Sequence, residues 1–464
     1  MSVRLPSRYE DLDPTFRSRL RPVPELNSLV NQAFAGMKVS GGIRFLPVYG
    51  KSGCGKTCAA CELGTHIPDS RVAVLSGDDL ELAQNDLTSR LSERINLLSP
   101  QELFIWVVDQ YEEKVPAKAA IPAQFVERLS LLDRGALRGQ PMLFIWLTTS
   151  QEFQRALVEA TSRNERILLK PAFELVSVPR AEWASVIEET FTFHNPGNEL
   201  ANYGVLRRKL DDVCRRVETI GRAIEEVGHE IGKPLYELQD ISEYHVLMVW
   251  PVVDGTGIER VTRFTDPLSG YRLSWNAWCN QLNETDRKQL PLDAYNQARL
   301  YFDLRLVPLP VADLHGLCQR LDDESHVPLG PLTQFKNTHL YTVLTGRTDE
   351  RRFGTLREHR ESKRAKEARE WYKTITSQSV AVGRRLAKCL TELALPSTAE
   401  KEVRSTHRRI VADIHTERHE QPQRFVLTEL KLLSSHETTP SRIRDEIRST
   451  LKKYAQFAGF IQRQ

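Results

Sequence analysis

The chain has 464 residues, 40% apolar and 27% charged, which allows about three domains with ordinary buried cores. Lys plus Arg less Asp plus Glu is 64 − 61 = +3, so any polyanion must be held by a local patch rather than a global field. The longest apolar runs, 103–108 and 142–147, are too short to span a bilayer, the N-terminus lacks an apolar signal core, and seven scattered cysteines fit reduced thiols, so a cytoplasmic protein with no membrane contact is expected.

Residues 1–40 read as irregular chain and then a helix over 25–37, following Pro22 and Pro24. From 41 to 170 short apolar runs alternate with helical stretches. Strands are expected at 43–49, 72–75, 103–108 and 142–148, with helices beginning near Lys56, Asp79, Pro122 and Gln151. Nearly all-apolar strands joined by helices indicate a parallel sheet covered on both faces. Cys58 and Cys61 form a CxxC on the first turns of a helix, where buried core residues are the favoured reading over redox chemistry.

Residues 171–235 turn helical, at 180–193 and 200–231, and are expected to form a lid. The span 236–378 is mixed and rich in Trp and Tyr, with Asp254-Gly255-Thr256-Gly257 as a turn; by elimination it is the sensing or coupling domain. Its charged stretch 349–373 reads as a solvated helix with i,i+4 ion pairs, the alternative being a helix lying along a phosphate backbone. Residues 379–464 return to helices at 380–394 and 399–406, strands at 409–416 and 424–432, and a helix at 441–458. No internal repeat is found.

The chemistry begins at Gly50-Lys51-Ser52-Gly53-Cys54-Gly55-Lys56-Thr57, a full G-x-x-x-x-G-K-[ST] match between an apolar strand and a helix. Glycines let the loop curl so that backbone N–H groups face phosphate oxygens, and the helix adds its positive end. Lys56 is expected at the β- and γ-phosphates of ATP and the Thr57 hydroxyl on Mg²⁺. The apolar strand 103–108 then ends in Asp109, placed to hold the Mg²⁺ through water. Glu112 or Glu113 just beyond is a candidate to polarise the attacking water. The next apolar strand ends in Thr148-Thr149-Ser150, where Thr149 suits a contact to the γ-phosphate or to water.

This ordered set resembles the AAA+/STAND group of P-loop NTPases over roughly residues 20–235. Val107-Val108-Asp109-Gln110-Tyr111-Glu112-Glu113 is similar to the V-V-D-Q-F-E-E pattern of bacterial STAND regulators. The resemblance implies a homo-oligomer in which an arginine from a neighbouring subunit completes the site. Arg163 or Arg166 is the candidate finger, and Arg222 is a candidate second sensor; each reads equally well as a surface arginine.

Near the C-terminus, Glu429 and Lys431 are two apart on an expected strand and so share a face, next to Asp413 of the preceding strand. That trio suits Mg²⁺-assisted phosphodiester hydrolysis, with Asp413 and Glu429 as metal ligands and Lys431 orienting hydroxide or stabilising charge. Asp413, then Glu429-Leu430-Lys431, then a basic helix resembles the PD-(D/E)xK nuclease superfamily. Glu400 or Glu402 on an earlier helix is the candidate additional acid. Ala412 replaces the name-giving proline, and Arg448 stands where related families often carry Gln. His407, His415, His419 and His436 match no zinc spacing.

The fold class expected is therefore α/β: a P-loop NTPase sheet (41–170) behind an N-terminal segment (1–40), a helical lid (171–235), a mixed middle domain (236–378) and a restriction-endonuclease-like domain (379–464). The function expected is an ATP-driven switch controlling a Mg²⁺-dependent DNA endonuclease, and the resemblance implies prokaryotic anti-phage defence. The alternative is a non-nucleolytic ATPase regulator that binds DNA or recruits a partner protein encoded in the same operon.

Overall fold

In the computed structural model, which describes residues 3–95, 102–109, 120–232, 242–321, 329–348, 353, 356, 363–418 and 423–461, the chain divides into two units. The first is Met1–Asn195 with Arg207–His229, and the second is Pro196–Leu206 with Glu230–Gln464.

Unit 1 holds β1 (Ile43–Tyr49), β2 (Ser70–Leu75), β3 (Leu103–Val108), β4 (Met142–Thr148) and β5 (Phe173–Glu174), paired in parallel in the order β2-β3-β4-β1-β5. β3 and β4 are buried along their whole length. Successive residues feed two separate cores. Leu46, Val48, Ile105, Val107 and Ile145 face one side, and Phe45, Phe104, Trp106, Phe144 and Trp146 the other. That two-sided burial is why these strands read as unbroken apolar runs. The order sets β4 between β1 and β3, so the carboxyl ends of all three lie side by side.

The expected first helix is found as Pro24–Ser40, opened by Pro24 and closed at Gly41, whose φ of 58° lies in the left-handed region. The helical span expected over 200–231 is three pieces: Leu200–Tyr203, Arg207–Arg216 and Ile220–Gly232. Gly204, at φ 73°, stops the first.

Unit 2 holds β6 (Tyr244–Val252), β7 (Thr265–Asp266), β8 (Arg272–Leu273), β9 (Arg305–Pro310), β10 (Ser397–Arg404), β11 (Arg409–Glu417) and β12 (Phe425–Leu430). They form one mixed sheet in the order β10-β11-β12-β6-β9-β8-β7. β12, β6 and β9 run parallel, with β11 antiparallel to both of its neighbours. The division expected at 378/379 therefore falls within a single sheet, because β12 pairs with β6 from Phe425↔Tyr244 to Leu430↔Val249. β6 is apolar and buried on both faces, so it needs a neighbour on each edge; those neighbours, β9 and β12, come from the two halves that were expected to be separate.

Residues 196–206, expected in the lid, also belong here. Glu199 accepts hydrogen bonds from the Trp275 and Asn276 backbone N–H groups, and Ala201 O accepts one from Asn296. A further correction is β10, a strand where a helix over 399–406 was expected. Ala-Glu-Lys-Glu favours helix locally, but pairing with β11 overrides it, and the charges are tolerated because β10 is a solvent-facing edge.

Unit 2 also buries charge. His245 is 2% exposed, and its Nδ1 accepts from Arg418, which further donates to the Val343 and Leu344 carbonyls. Asp303 receives Arg305 and Arg272. Burial alone would raise the Asp303 carboxyl, but the Arg305 guanidinium, with that of Arg272, overcomes it and holds it well below the usual range. Burial pushes the Arg418 guanidinium down to about 10, reinforced by Arg305. It also holds His245 neutral, with Arg418 repelling any proton, and lowers His315 and His415. These histidines bind protons more readily when unfolded, so their contribution is complete above the unfolded value near 6.5 and is lost as pH falls below it. Chemical denaturation should show unit 2 weakening between pH 7 and 5, by about 1.4 kcal/mol per pH unit for each proton taken up on unfolding. His245→Asn should flatten that slope; an unchanged slope would remove His245 from the account.

Candidate nucleotide site and carboxylate cluster

The loop after β1 is shaped by its glycines, two of which take backbone conformations that other residues rarely adopt. A Cβ on Gly50 would lie 2.9 Å from Cys54 Sγ, and Gly53 and Gly55 take φ values of 78° and 89°. The helix Lys56–Cys61 starts directly after Gly55. Lys56 Nζ donates to Gly50 O at 2.8 Å and to Lys51 O at 3.1 Å, folding the ammonium back across the loop. The Thr57 hydroxyl donates to Asp109 Oδ2 at 2.6 Å, so the end of β3 reaches the first turn of this helix. Around them lies a cavity of about 610 Å³, bounded by loop residues from Ser52 to Thr57 together with Asp109, Thr148 and Thr149. That volume suits a ligand of nucleotide size.

Two contributions to this cavity carried no motif. Residues 6–10 and Leu12 line one wall. They are anchored by Tyr9, whose hydroxyl donates to buried Glu62 Oε1 at 2.6 Å, while the Arg17 guanidinium sits 4.5 Å from the Tyr9 ring centre. Burial, then Glu62, pushes the Tyr9 phenol upward. The second is Gly221, whose N–H donates to Gly53 O at 2.9 Å. A Cβ there would lie 2.8 Å from Gly53 Cα. The start of the Ile220–Gly232 helix therefore rests on the loop backbone itself.

Other expected residues are placed as follows. Lys51 is exposed and paired with Glu218 at 2.8 Å. Cys54 is buried with its Sγ directed to Leu175 O, and burial pushes the Cys58 and Cys61 thiols up to about 12, which disfavours the thiolate that redox chemistry needs. Thr149 is exposed on the cavity wall. Arg222 is exposed, pairs with Glu225 and does not line the cavity. Arg163 pairs with Glu127 on the surface, and Arg166 lies near Gly42 and Arg44 at the amino end of β1, the end opposite the glycine-rich loop. Neither belongs to this chain's own cavity. Glu112 and Glu113 lie outside the described residues.

In unit 2 the structure brings Asp413, Glu429 and Lys431 into one neighbourhood. The last paired residues of β11 and β12 at this end are Ile414↔Thr428. Beyond them the Asp413 carboxylate takes the Leu430 N–H at 2.6 Å, in place of a ladder bond. Burial raises the Asp413 carboxyl, and the Glu429 charge raises it further. Glu429, 6% exposed, accepts from Lys453 Nζ at 2.5 Å and Tyr454 OH at 2.8 Å. Lys431 pairs with Glu446 at 3.2 Å. Glu400 and Glu402 are exposed on β10 rather than on a helix, Glu402 being paired with Arg404 and Arg409, so neither supplies an additional buried acid. Among the described residues, no three His, Cys, Asp or Glu side chains gather as a metal-holding group. No helix among them is long and apolar enough to cross a membrane.

No protein-family model matches the chain, and no curated protein matches it. Among solved structures it is similar to a DNA replication initiation factor (13% identity, TM-score 0.29, covering 73% of this chain and 98% of that one). It is also similar to AMPPCP-bound DnaA from Aquifex aeolicus (12% identity, TM-score 0.27, covering 73% and 92%). Both likenesses are too remote to carry fold or function across.

Because the Gly221–Gly53 approach is backbone on backbone, Gly221→Ala must push the helix off the loop. Nucleotide affinity measured by calorimetry should weaken about tenfold, roughly 1.4 kcal/mol, with little change in melting temperature. Unaltered affinity would show that the contact does not shape the site.

Proposed function

We propose that the chain is an ATP-binding and ATP-hydrolysing switch that governs Mg²⁺-dependent cleavage of DNA by its second unit, in the setting of anti-phage defence. The observation carrying the first half is the 2.6 Å bond between Thr57 and Asp109 beside Lys56, inside a cavity of about 610 Å³. A hydroxyl and a carboxylate oxygen in contact are the hard donors Mg²⁺ takes, and its remaining positions are normally filled by water and substrate phosphates. These residues fit that ion. Held by Thr57 and Asp109, Mg²⁺ would supply neutralisation of phosphate charge. Lys56 binds the same phosphates, the loop N–H groups orient them, and Thr149 meets the terminal phosphate or its water. Gly221 carries the state of the loop to the Ile220–Gly232 helix, the element through which phosphate loss would be felt. Assembly into a homo-oligomer with Arg163 or Arg166 acting in trans, and Arg222 turning inward as a sensor, belong to this reading.

The nuclease half rests on half-buried Asp413 and buried Glu429, carboxylates on adjacent strands, with Lys431 two residues beyond Glu429. Two carboxylates suffice for a Mg²⁺ that also takes phosphate oxygens. Lys431 would hold a water or steady charge on the cleaved phosphate. The capture of Glu429 by Lys453 and Tyr454 favours the second reading, a regulator that binds DNA or a partner protein without cutting.

Lys56→Ala should weaken ATP binding at least about a hundredfold, whereas Asp109→Asn should retain binding and lose about a hundredfold in hydrolysis, read by calorimetry and phosphate release. ATP binding left intact in Lys56→Ala would overturn the switch. Alanine at both Glu429 and Lys431 should abolish plasmid cleavage with ATP and Mg²⁺ while leaving ATP hydrolysis unchanged. If the unaltered protein cuts no nucleic acid under any nucleotide condition, the regulator reading prevails.

A further inference from the structure

We infer that the Lys453 ammonium occupies the cation position of the unit 2 carboxylate cluster, so that a divalent ion enters only when Lys453 leaves. This inference rests on the nuclease reading of the same residues. Lys453 Nζ donates to Glu429 Oε1 at 2.5 Å and also to the Val411 carbonyl at 2.8 Å. Val411 precedes Asp413 by two residues on β11, and the Asp413 carboxylate feels the charges of both Glu429 and Lys453. A cation is thus already seated among protein oxygens from two strands. A side-chain carboxylate and a backbone carbonyl are the donors a hard divalent ion takes, at about 2.0–2.1 Å for Mg²⁺.

The two cations cannot share the place, since like charges a few ångströms apart in a mostly buried setting repel strongly. Lys453 is suited to leaving. Its side chain is 28% exposed and carries a flexible four-carbon stem, whereas its neighbour Tyr454 is fully buried against Phe302 and Phe457. Tyr454 keeps Glu429 in position when Lys453 swings out, so departure of the ammonium leaves an oriented carboxylate rather than a collapsed one. Lys453 is therefore a positioning residue whose release sets the metal affinity of the cluster.

The test uses the full chain without nucleotide and Mn²⁺ as the probe, followed by calorimetry and electron spin resonance. Lys453→Gln removes the charge yet keeps an N–H donor for Glu429, and should bind Mn²⁺ at least about tenfold more tightly than the unaltered protein. Lys453→Arg should stay near the unaltered value, and Glu429→Gln combined with Lys453→Gln should lose the gain. On the unaltered chain, which avoids any folding defect, rising Mn²⁺ should speed modification of Lys453 by an amine reagent, read by mass spectrometry. No gain in Lys453→Gln, a gain surviving in the double variant, or a Lys453 modification rate indifferent to Mn²⁺ would each overturn the inference. The outcomes separate it from the nuclease reading. Tighter Mn²⁺ binding without any DNA cleavage keeps the ammonium exchange and removes the nuclease, whereas cleavage with Mn²⁺ affinity unaffected by Lys453→Gln does the reverse.

Discussion

A hydroxyl from the first turn after β1 and a carboxylate from the end of β3 meet at 2.6 Å, although β4 lies between their strands. That meeting depends on a constraint of parallel sheets: all carboxyl ends emerge on one side, so polar residues placed just past apolar strands converge without further instruction. The three central strands of unit 1 are buried on both faces and packed by large aromatics, including Trp106 and Trp146, which leaves little freedom in where those ends sit. The cavity is therefore built on rigid supports, while its outer walls, among them the N-terminal segment and the Ile220–Gly232 helix, come from elements outside the sheet.

The same logic explains what the sequence disclosed. The glycine-rich loop and its place between strand and helix were legible because its glycines, Lys56 and Thr57 are contiguous, and the strand before them is apolar for a reason that burial on two faces makes plain. Asp109 was legible because a charge ends an unbroken apolar run. Gly221 and Tyr9 were not: a single glycine opening a helix and a tyrosine in irregular chain carry no pattern, and their roles arise only from contacts with Gly53 and Glu62, far away in sequence. In unit 2 the faces of Glu429 and Lys431 followed from strand alternation. The pairing of β6 with β12 did not, since long-range pairing leaves no local trace in either segment. Ala399 to Glu402 favour helix by propensity, and only the partner strand β11 reveals why they are extended.

Unit 1 buries carboxylates such as Glu62, Asp79 and Asp133, whereas unit 2 buries arginines as well. Unit 2 buries Arg299, Arg305, Arg418, His245 and Glu429; the arginines donate to carbonyls, Glu429 accepts from an ammonium and a phenol, and His245 takes Arg418 on Nδ1 while its buried Nε2 meets no hydrogen-bond partner. Buried ion pairs seldom contribute much net stability, but losing one partner is costly, so such clusters fix one arrangement in preference to near alternatives. In the Asp413–Glu429–Lys453 group the same dependence ties the Glu429 carboxylate to the Lys453 ammonium and the Tyr454 hydroxyl.

The exposed margin formed by β10 has a consequence for assembly. Lys401, Glu402 and Arg404 crowd that outer strand, and Glu400 adopts a φ of 51°, in the left-handed region, which interrupts its regular pleat. A foreign strand arriving there would have to bury unmatched charges and accommodate a kink, so templated sheet growth is discouraged at this border. Association of several copies would have to use surfaces other than this one.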